Sequence, residues 1–341
     1  MTVGLKGFIP MRVRLRGKDS DVVWIDASSM RLSEPFFYQT LKRVIAQRKC
    51  ETAVTGLGAV LELSEQLPNR EPDGFIFHAS RCGSTLVCNA LKSIALSTVV
   101  AEAQPISATL APYTPGVWPF PPETWLTNRD RLVWAMTRIF SQLRPSPTAR
   151  FYIKFNSWNT LALHTVKTVW PNVKWVFVYR DPIEILVSNL RKKPSWLNFQ
   201  AAPERASAHF GFTPEHVSAM SVEEFGARVI AQYYSNAAAM ADERSLFMEY
   251  KNLNADGLRQ ILNFLGVKRD EFQDSSIDSI LGVYAKDKHG RTAFFDDSEE
   301  KQSSASVALR QAVDQWAKVA FERLAKTQRR GRDPFFLEKH I

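Results

Sequence analysis

The sequence predicts an α/β protein in which a mostly parallel sheet is flanked by helices, with a small N-terminal α+β extension. Short apolar runs alternate with helical patterns through most of the chain. Residues 75–79 (FIFHA) and 174–179 (KWVFVY) are almost entirely apolar, as expected for strands buried on both faces. Helix signals lie between such runs, with Pro182 at a first helical turn and Gly266 after a last one. Together these three observations indicate a parallel sheet.

The first 70 residues have a different pattern. A Pro- and Gly-rich connector, residues 67–74 (LPNREPDG), separates an extension, residues 1–70, from a main domain, residues 71–341. The elements predicted for the extension are strands at Met11–Leu15 and Val22–Ile25, followed by helices at Glu34–Ala46 and Gly56–Gln66.

The main domain alternates strand and helix from residue 75 onward, interrupted by a Pro-rich loop at 105–122. The predicted strands are Phe75–Ala79, Thr98–Ala101, Phe151–Phe155, Lys174–Tyr179 and Ser245–Tyr250. The predicted helices are Ser84–Ile94, Asn128–Leu143, Thr160–Val169, Pro182–Arg191, Val222–Asp242 and Ala255–Leu265.

Composition narrows the class of partner. The net charge is +9, and an excess of basic residues favours binding of an anionic partner, such as nucleic acid, an anionic membrane or a phosphorylated small molecule. No nucleic-acid-binding module accompanies the charge, so we expect no nucleic-acid partner. No apolar run reaches the ~20 residues that span a bilayer. The cysteines, Cys50, Cys82 and Cys88, have no metal-type spacing, which predicts no bound metal and a reducing, cytoplasmic environment.

A tight loop between a strand and a helix is the most informative motif. Residues 80–85 (SRCGST) follow an apolar strand and open a helix, whose first N–H groups and dipole attract an anion. Gly83 allows the backbone to approach a ligand closely. Arg81 contributes positive charge, and the hydroxyls of Ser84 and Thr85 are donors. The lysine of a Walker loop is absent, since Ser84 stands in its place, and this disfavours magnesium-dependent ATP or GTP chemistry.

A second motif repeats this arrangement. Arg180 ends the strand at 174–179, and Ser188 lies in the second turn of the helix that follows. An arginine at the carboxyl end of a parallel strand, together with a hydroxyl, forms a small phosphate site. Two separate phosphate sites suit a nucleotide that is phosphorylated at both its 5' and its 3' end.

In this pairing the chain resembles the sulfotransferases over residues 75–266. The resemblance implies a three-layer fold like that of the P-loop NTPases and 3'-phosphoadenosine 5'-phosphosulfate as sulfuryl donor, with 3'-phosphoadenosine 5'-phosphate (PAP) as product. It implies that the 5'-phosphosulfate contacts Arg81, Cys82, Gly83, Ser84 and Thr85, and that Arg180 and Ser188 hold the 3'-phosphate. Serine is commoner in this family at the position of Cys82. The thiol beside Arg81, at a helix start, is a candidate for unusual acidity.

The resemblance also implies the catalytic groups. In relatives with a glutamate base, that glutamate lies at the end of the second strand of the domain, and Glu102 is at the matching position here. Glu102 is therefore the predicted general base, and we expect a desolvated pocket to raise its pKa. Lys154, at the end of its own strand, is predicted to stabilise the leaving phosphate together with Arg81. A basic loop that closes over the nucleotide in many relatives has one analogue here, residues 284–291 (YAKDKHGR). Its Lys286, Lys288 and Arg291 are candidate nucleotide contacts, although a solvated loop fits equally well.

The acceptor is left open by the sequence. Aromatic loops at 105–125 and 196–212 are candidate walls for a hydroxyl or amine acceptor, either a small molecule or a glycan or peptide, and also for a homodimer surface. Two alternatives to a sulfotransferase are a P-loop kinase for a small molecule and a non-catalytic nucleotide-binding protein.

Overall fold

The computed structural model describes residues 4–28, 30–47, 50–283, 285 and 296–330. The candidate contacts Lys286, Lys288 and Arg291 lie outside these residues. The described strands are β1 (Phe8–Arg14), β2 (Asp21–Asp26), β3 (Thr52–Gly56), β4 (Gly74–His78), β5 (Ser97–Ala101), β6 (Arg150–Lys154), β7 (Trp175–Tyr179) and β8 (Ser245–Glu249).

The α-helices are numbered in chain order. They are α1 (Phe37–Ala46), α2 (Gly58–Glu65), α3 (Ser84–Lys92), α4 (Gln104–Thr109), α5 (Pro122–Phe140), α6 (Leu163–Val169), α7 (Pro182–Arg191), α8 (Pro203–Phe210), α9 (Pro214–Ala219), α10 (Val222–Ala239), α11 (Ala255–Phe264), α12 (Asp274–Leu281), α13 (Ser298–Ser304), α14 (Val307–Trp316) and α15 (Lys318–Arg330). None of these described helices is both long and apolar enough to cross a membrane.

The central sheet has the strand order β5-β6-β4-β7-β8, and every pair in it is parallel. Alternate residues of these strands enter two separate apolar clusters. Phe77 and Phe177 pack with α5 and α10, whereas Ile76 and Val176 pack with α3 and α11. Helices therefore cover both faces of the sheet, and the predicted three-layer α/β fold is confirmed. Because the strands are parallel, their carboxyl ends lie at one edge.

The extension forms its own antiparallel sheet, of order β1-β2-β3, and packs against the main domain. Its buried residues Ile9, Trp24 and Phe37 belong to the same apolar cluster as the main sheet. The side-chain amide of Gln104 accepts from the Val13 N–H and donates to the Val13 carbonyl, both at 2.9 Å, which ties the edge strand β1 to α4.

Two features differ from the sequence prediction. Residues 52–56 form strand β3, which has no apolar alternation because its side chains are mostly exposed. The first residues of the loop predicted at 105–122 are helical and belong to α4. Pro105 lies at the start of that helix, where a missing N–H removes no hydrogen bond. A proline in the first turn of a helix gives the same sequence signal as a proline in a loop, so the pattern does not separate the two.

Candidate functional site

One cleft of about 600 Å³ lies at the carboxyl edge of the central sheet. It receives side chains from the ends of β4, β5, β6, β7 and β8 and from the first turn of α3. The predicted site residues that line it are Arg81, Cys82, Gly83, Ser84, Thr85, Glu102, Lys154, Arg180 and Ser188. The structure therefore brings together every described residue that the sequence predicted for nucleotide binding or catalysis. Of the aromatic loops at 105–125 and 196–212, which the sequence offered as acceptor walls, Trp196 is the described residue that lines the cleft.

The loop before α3 has an unusual backbone. Ser80 and Arg81 have left-handed φ values of 73° and 50°, which side chains other than glycine seldom adopt. Gly83 has φ 82°, and a Cβ there would lie 2.6 Å from Leu253 and 3.0 Å from Tyr250. The glycine is thus required by its conformation and by its neighbours in the protein, and close approach of a ligand to its backbone stays a prediction. Strained backbone of this kind clusters at binding sites.

Arg81 and Ser188 connect the two motifs directly. The Arg81 Nε donates to Ser188 Oγ at 2.7 Å, although the residues lie on different βα units. Ser188 is buried in the second turn of α7, the position that the sequence predicted. The two helix beginnings therefore face one cavity.

Arg180 is held by several acidic and aromatic partners. Its guanidinium forms ion pairs with Glu184 and Asp297, the latter at 2.9 Å, and lies 3.9 Å from the centroid of the Tyr250 ring. Burial opposes the charge, but these carboxylates outweigh it, and the pKa of Arg180 rises above its ordinary value. Asp297 also pairs with Lys301 at 2.6 Å. An anionic phosphate at Arg180 would compete with Asp297.

Glu102 and Lys154 form an ion pair, and both residues line the cleft. Burial alone would raise the pKa of the Glu102 carboxyl, but the Lys154 ammonium and His78 outweigh it, so the pKa is lowered. The raised pKa expected from the sequence is therefore wrong for this arrangement, because the carboxylate has a cationic partner. Burial likewise opposes the Lys154 charge, yet Glu102 raises the pKa of Lys154 above its usual range.

Cys82 does not have the acidity that its position suggested. Its side chain is fully buried, and its Sγ lies 3.0 Å from the Val178 carbonyl oxygen. Burial raises the pKa of the Cys82 thiol to about 11, more than nearby hydrogen bonds and the Lys154 charge lower it. A thiol in this environment stays protonated at neutral pH and is unreactive.

Several residues of the cleft were missed by sequence reasoning. They are Phe36 of the extension, His78 at the end of β4, Tyr250 after β8, and Asp297 and Lys301 near the start of α13. Tyr250 could have been found, because it follows a strand end at the edge where ligands bind. Phe36, Asp297 and Lys301 carry no local signal, since only the tertiary fold brings them to the cleft.

The fold is similar to that of solved sulfotransferases. One is the sulfotransferase domain of the Synechococcus PCC 7002 olefin synthase, 15% identical, covering 76% of this chain and 94% of that one, with a TM-score of 0.41. Another is a sulfotransferase from Alicyclobacillus acidocaldarius, which is 15% identical, with an alignment that covers 74% of this chain and 100% of that one and a TM-score of 0.36. A third is mouse sulfotransferase SULT7A1 complexed with PAP, which is 17% identical, with an alignment that covers 82% of this chain and 88% of that one and a TM-score of 0.35.

No protein-family model and no curated protein sequence matches this chain.

Proposed function

We propose that this protein is a sulfotransferase that moves a sulfuryl group from 3'-phosphoadenosine 5'-phosphosulfate to a hydroxyl or amine acceptor. The observation that carries the proposal is the convergence of two anion-binding motifs on one cleft, with a carboxylate and an ammonium group between them. A cleft of about 600 Å³ falls within the range of small-molecule sites, which is roughly 300–1,000 Å³.

The cleft offers two sets of cationic and hydrogen-bond donor groups for a nucleotide with two phosphate groups, and the two sets touch through Arg81 and Ser188. The first turn of α3 and Arg81 provide N–H donors and charge for a 5'-phosphosulfate. Arg180 provides charge and N–H donors for a 3'-phosphate, and Ser188 provides a hydroxyl donor. The buried Lys301 also lines the cleft. When bound, the donor would supply the sulfuryl group and a phosphate oxygen that leaves with PAP.

Glu102 is the group best placed to take the acceptor proton. While Lys154 is paired with it, the lowered pKa of Glu102 makes the carboxylate a weak base. Movement of Lys154 towards a leaving oxygen would remove that partner, and burial would then raise the pKa of Glu102. Proton transfer and charge stabilisation are thereby coupled through one ion pair.

A nucleotide-binding experiment tests the proposal. Calorimetry should show that PAP binds without a divalent metal and that ATP binds weakly. Arg180→Ala should abolish PAP binding, since a buried cation that pairs with phosphate is lost. Arg191→Ala is the matched control, because Arg191 lies on the same helix and pairs with Glu300 outside the cleft. ATP binding that is equally strong and requires magnesium would instead support a kinase.

A turnover experiment separates an enzyme from a binding protein. With labelled donor and a panel of hydroxyl and amine acceptors, the unmodified protein should transfer the label. Glu102→Gln should retain PAP binding and lose at least about 100-fold in turnover, the lower range for loss of a general base. Unchanged turnover in this variant would remove Glu102 from that role, and binding without any transfer would favour the non-catalytic alternative.

A further inference from the structure

His78 is a buried histidine that lines the cleft and has no role in the proposed proton transfer or nucleotide binding. It is the last residue of β4, is 6% exposed, and lies between the strained loop and the carboxylate of Glu102. The imidazole is therefore in contact with both the anion-binding loop and the proposed base.

Hydrogen bonding defines which ring nitrogen carries hydrogen. The Ser80 backbone N–H donates to His78 Nδ1 at 3.1 Å, so Nδ1 is an acceptor. The hydrogen of the ring is then on Nε2, which lies 3.4 Å from Glu102 Oε1. This distance is long for a hydrogen bond, so Nε2 and the carboxylate are in contact at 3.4 Å rather than closely bonded. Because Nε2 already carries a hydrogen, the imidazole cannot use that nitrogen to take a proton from the hydroxyl or amine that receives the sulfuryl group.

The Glu102 side chain extends from a strained backbone position and is paired with Lys154. Its φ is 55°, in the left-handed region, and its N–H donates to the Lys154 carbonyl oxygen at 2.8 Å. If Lys154 turns towards a leaving oxygen, as the proposed function requires, the contact from His78 remains to orient the carboxylate.

We propose that His78 is a positioning residue that orients the Glu102 carboxylate and couples it to the anion-binding loop through Ser80. The inference rests on the proposed function for its catalytic consequence, but its hydrogen-bond arrangement belongs to the ligand-free protein. Three groups with titratable side chains face this carboxylate or interact with it electrostatically. They are His78 from β4, Lys154 from β6 and Cys88 from α3.

A matched pair of variants separates the hydrogen bond with Ser80 from the contact with Glu102. In His78→Asn the side-chain oxygen can replace Nδ1 and accept from Ser80, but the donor to Glu102 is lost. In His78→Gln the amide nitrogen can replace Nε2 and donate to Glu102. We expect His78→Asn to lower kcat by about 10- to 100-fold, the range seen when a group orienting a metal ligand is removed. PAP affinity should not change, and His78→Gln should retain most of kcat.

The pH dependence gives a readout that a structural role would not change. Without a donor to its carboxylate, Glu102 should have a higher pKa in His78→Asn than in the unmodified protein or in His78→Gln. Carbon-13 NMR titration of the Glu102 carboxyl measures this without turnover. An equal Glu102 pKa in both variants and the unmodified protein would overturn the proposal.

Nitrogen-15 NMR of the ligand-free protein tests the tautomer directly. A hydrogen on Nε2 supports the proposal, and a hydrogen on Nδ1 overturns it. Absence of PAP binding in the unmodified protein would contradict the proposed function alone. The two NMR measurements test the His78–Glu102 contact and do not depend on which ligand the protein binds.

Discussion

At the scale of single residues, Asp297 is the clearest obstacle to anion binding. Its carboxylate holds Arg180 and the buried Lys301, the cations that a 3'-phosphate would use. Asp297→Asn removes this competing charge, so PAP affinity should increase by roughly 3- to 10-fold, in line with about 1 kcal/mol for a partly exposed ion pair. Calorimetry at low and high salt measures the effect, which should shrink as salt screens the charges.

The control for this variant is Glu300→Gln. Glu300 lies on the same helix, α13, and pairs with the exposed Arg191 outside the cleft. Its substitution should leave PAP affinity unchanged. An Asp297→Asn protein that binds PAP more weakly would show that the carboxylate contributes to the site rather than competes with the ligand.

The sequence was informative for residues that follow directly from a strand end. Arg81, Glu102, Lys154 and Arg180 all lie at carboxyl ends of parallel strands, and that position brings them to one edge. Their ionisation was not predictable. The pKa of Glu102 depends on an ion pair with a residue far along the chain, and local sequence does not show that contact.

At the scale of elements, the extension contributes a wall of the cleft. Phe36, before α1, lies with its ring centroid 5.1 Å from Lys154 Nζ and stacks against Tyr38 at 5.8 Å. This segment is anchored because Glu34 pairs with Arg43 and its carbonyl accepts from Lys92. Phe36→Ala should therefore raise the acceptor KM by about 10-fold or more through loss of apolar contact, with little change in PAP affinity.

Ile45→Ala is the matched control for Phe36→Ala. Ile45 lies on α1, is exposed, and does not line the cleft. Steady-state kinetics with varied acceptor should show no change for this variant. If Phe36→Ala leaves the acceptor KM unchanged and weakens PAP binding, the extension faces the nucleotide rather than the acceptor.

Elements were predictable where apolar pattern and tertiary burial agree. The helix at Pro182–Arg191 has the predicted bounds, with Asp181 as N-cap and Pro182 in the first turn. Strand β3 was missed because its pairing with β2 requires few buried side chains. Strands of this kind are stabilised mainly by backbone hydrogen bonds, which composition does not indicate.

At the scale of the whole molecule, the extension and the main domain share a core. Ile9 and Phe37 lie in one apolar cluster with Phe77 and Phe177 of the central sheet, and Phe37 packs edge-on against Phe140 at 5.3 Å. The apolar side chains of the extension are therefore buried in the same core as those of the central sheet. Stability and site geometry depend on the same contacts, since α4 begins two residues after Glu102.

We therefore expect one cooperative unfolding transition in which both parts unfold together. Gln104→Ala should lower the free energy of unfolding by about 1–3 kcal/mol, because the N–H and carbonyl of the buried Val13 lose their partners. The control is Gln142→Ala, whose contacts to the Phe8 and Ile139 carbonyls are long, at 3.4 and 3.3 Å. Calorimetry and tryptophan fluorescence should give coincident transitions for both variants. Two separated transitions, with residues 1–70 unfolding first, would show that the shared core does not join them, and the extension could then leave the cleft independently of the main sheet.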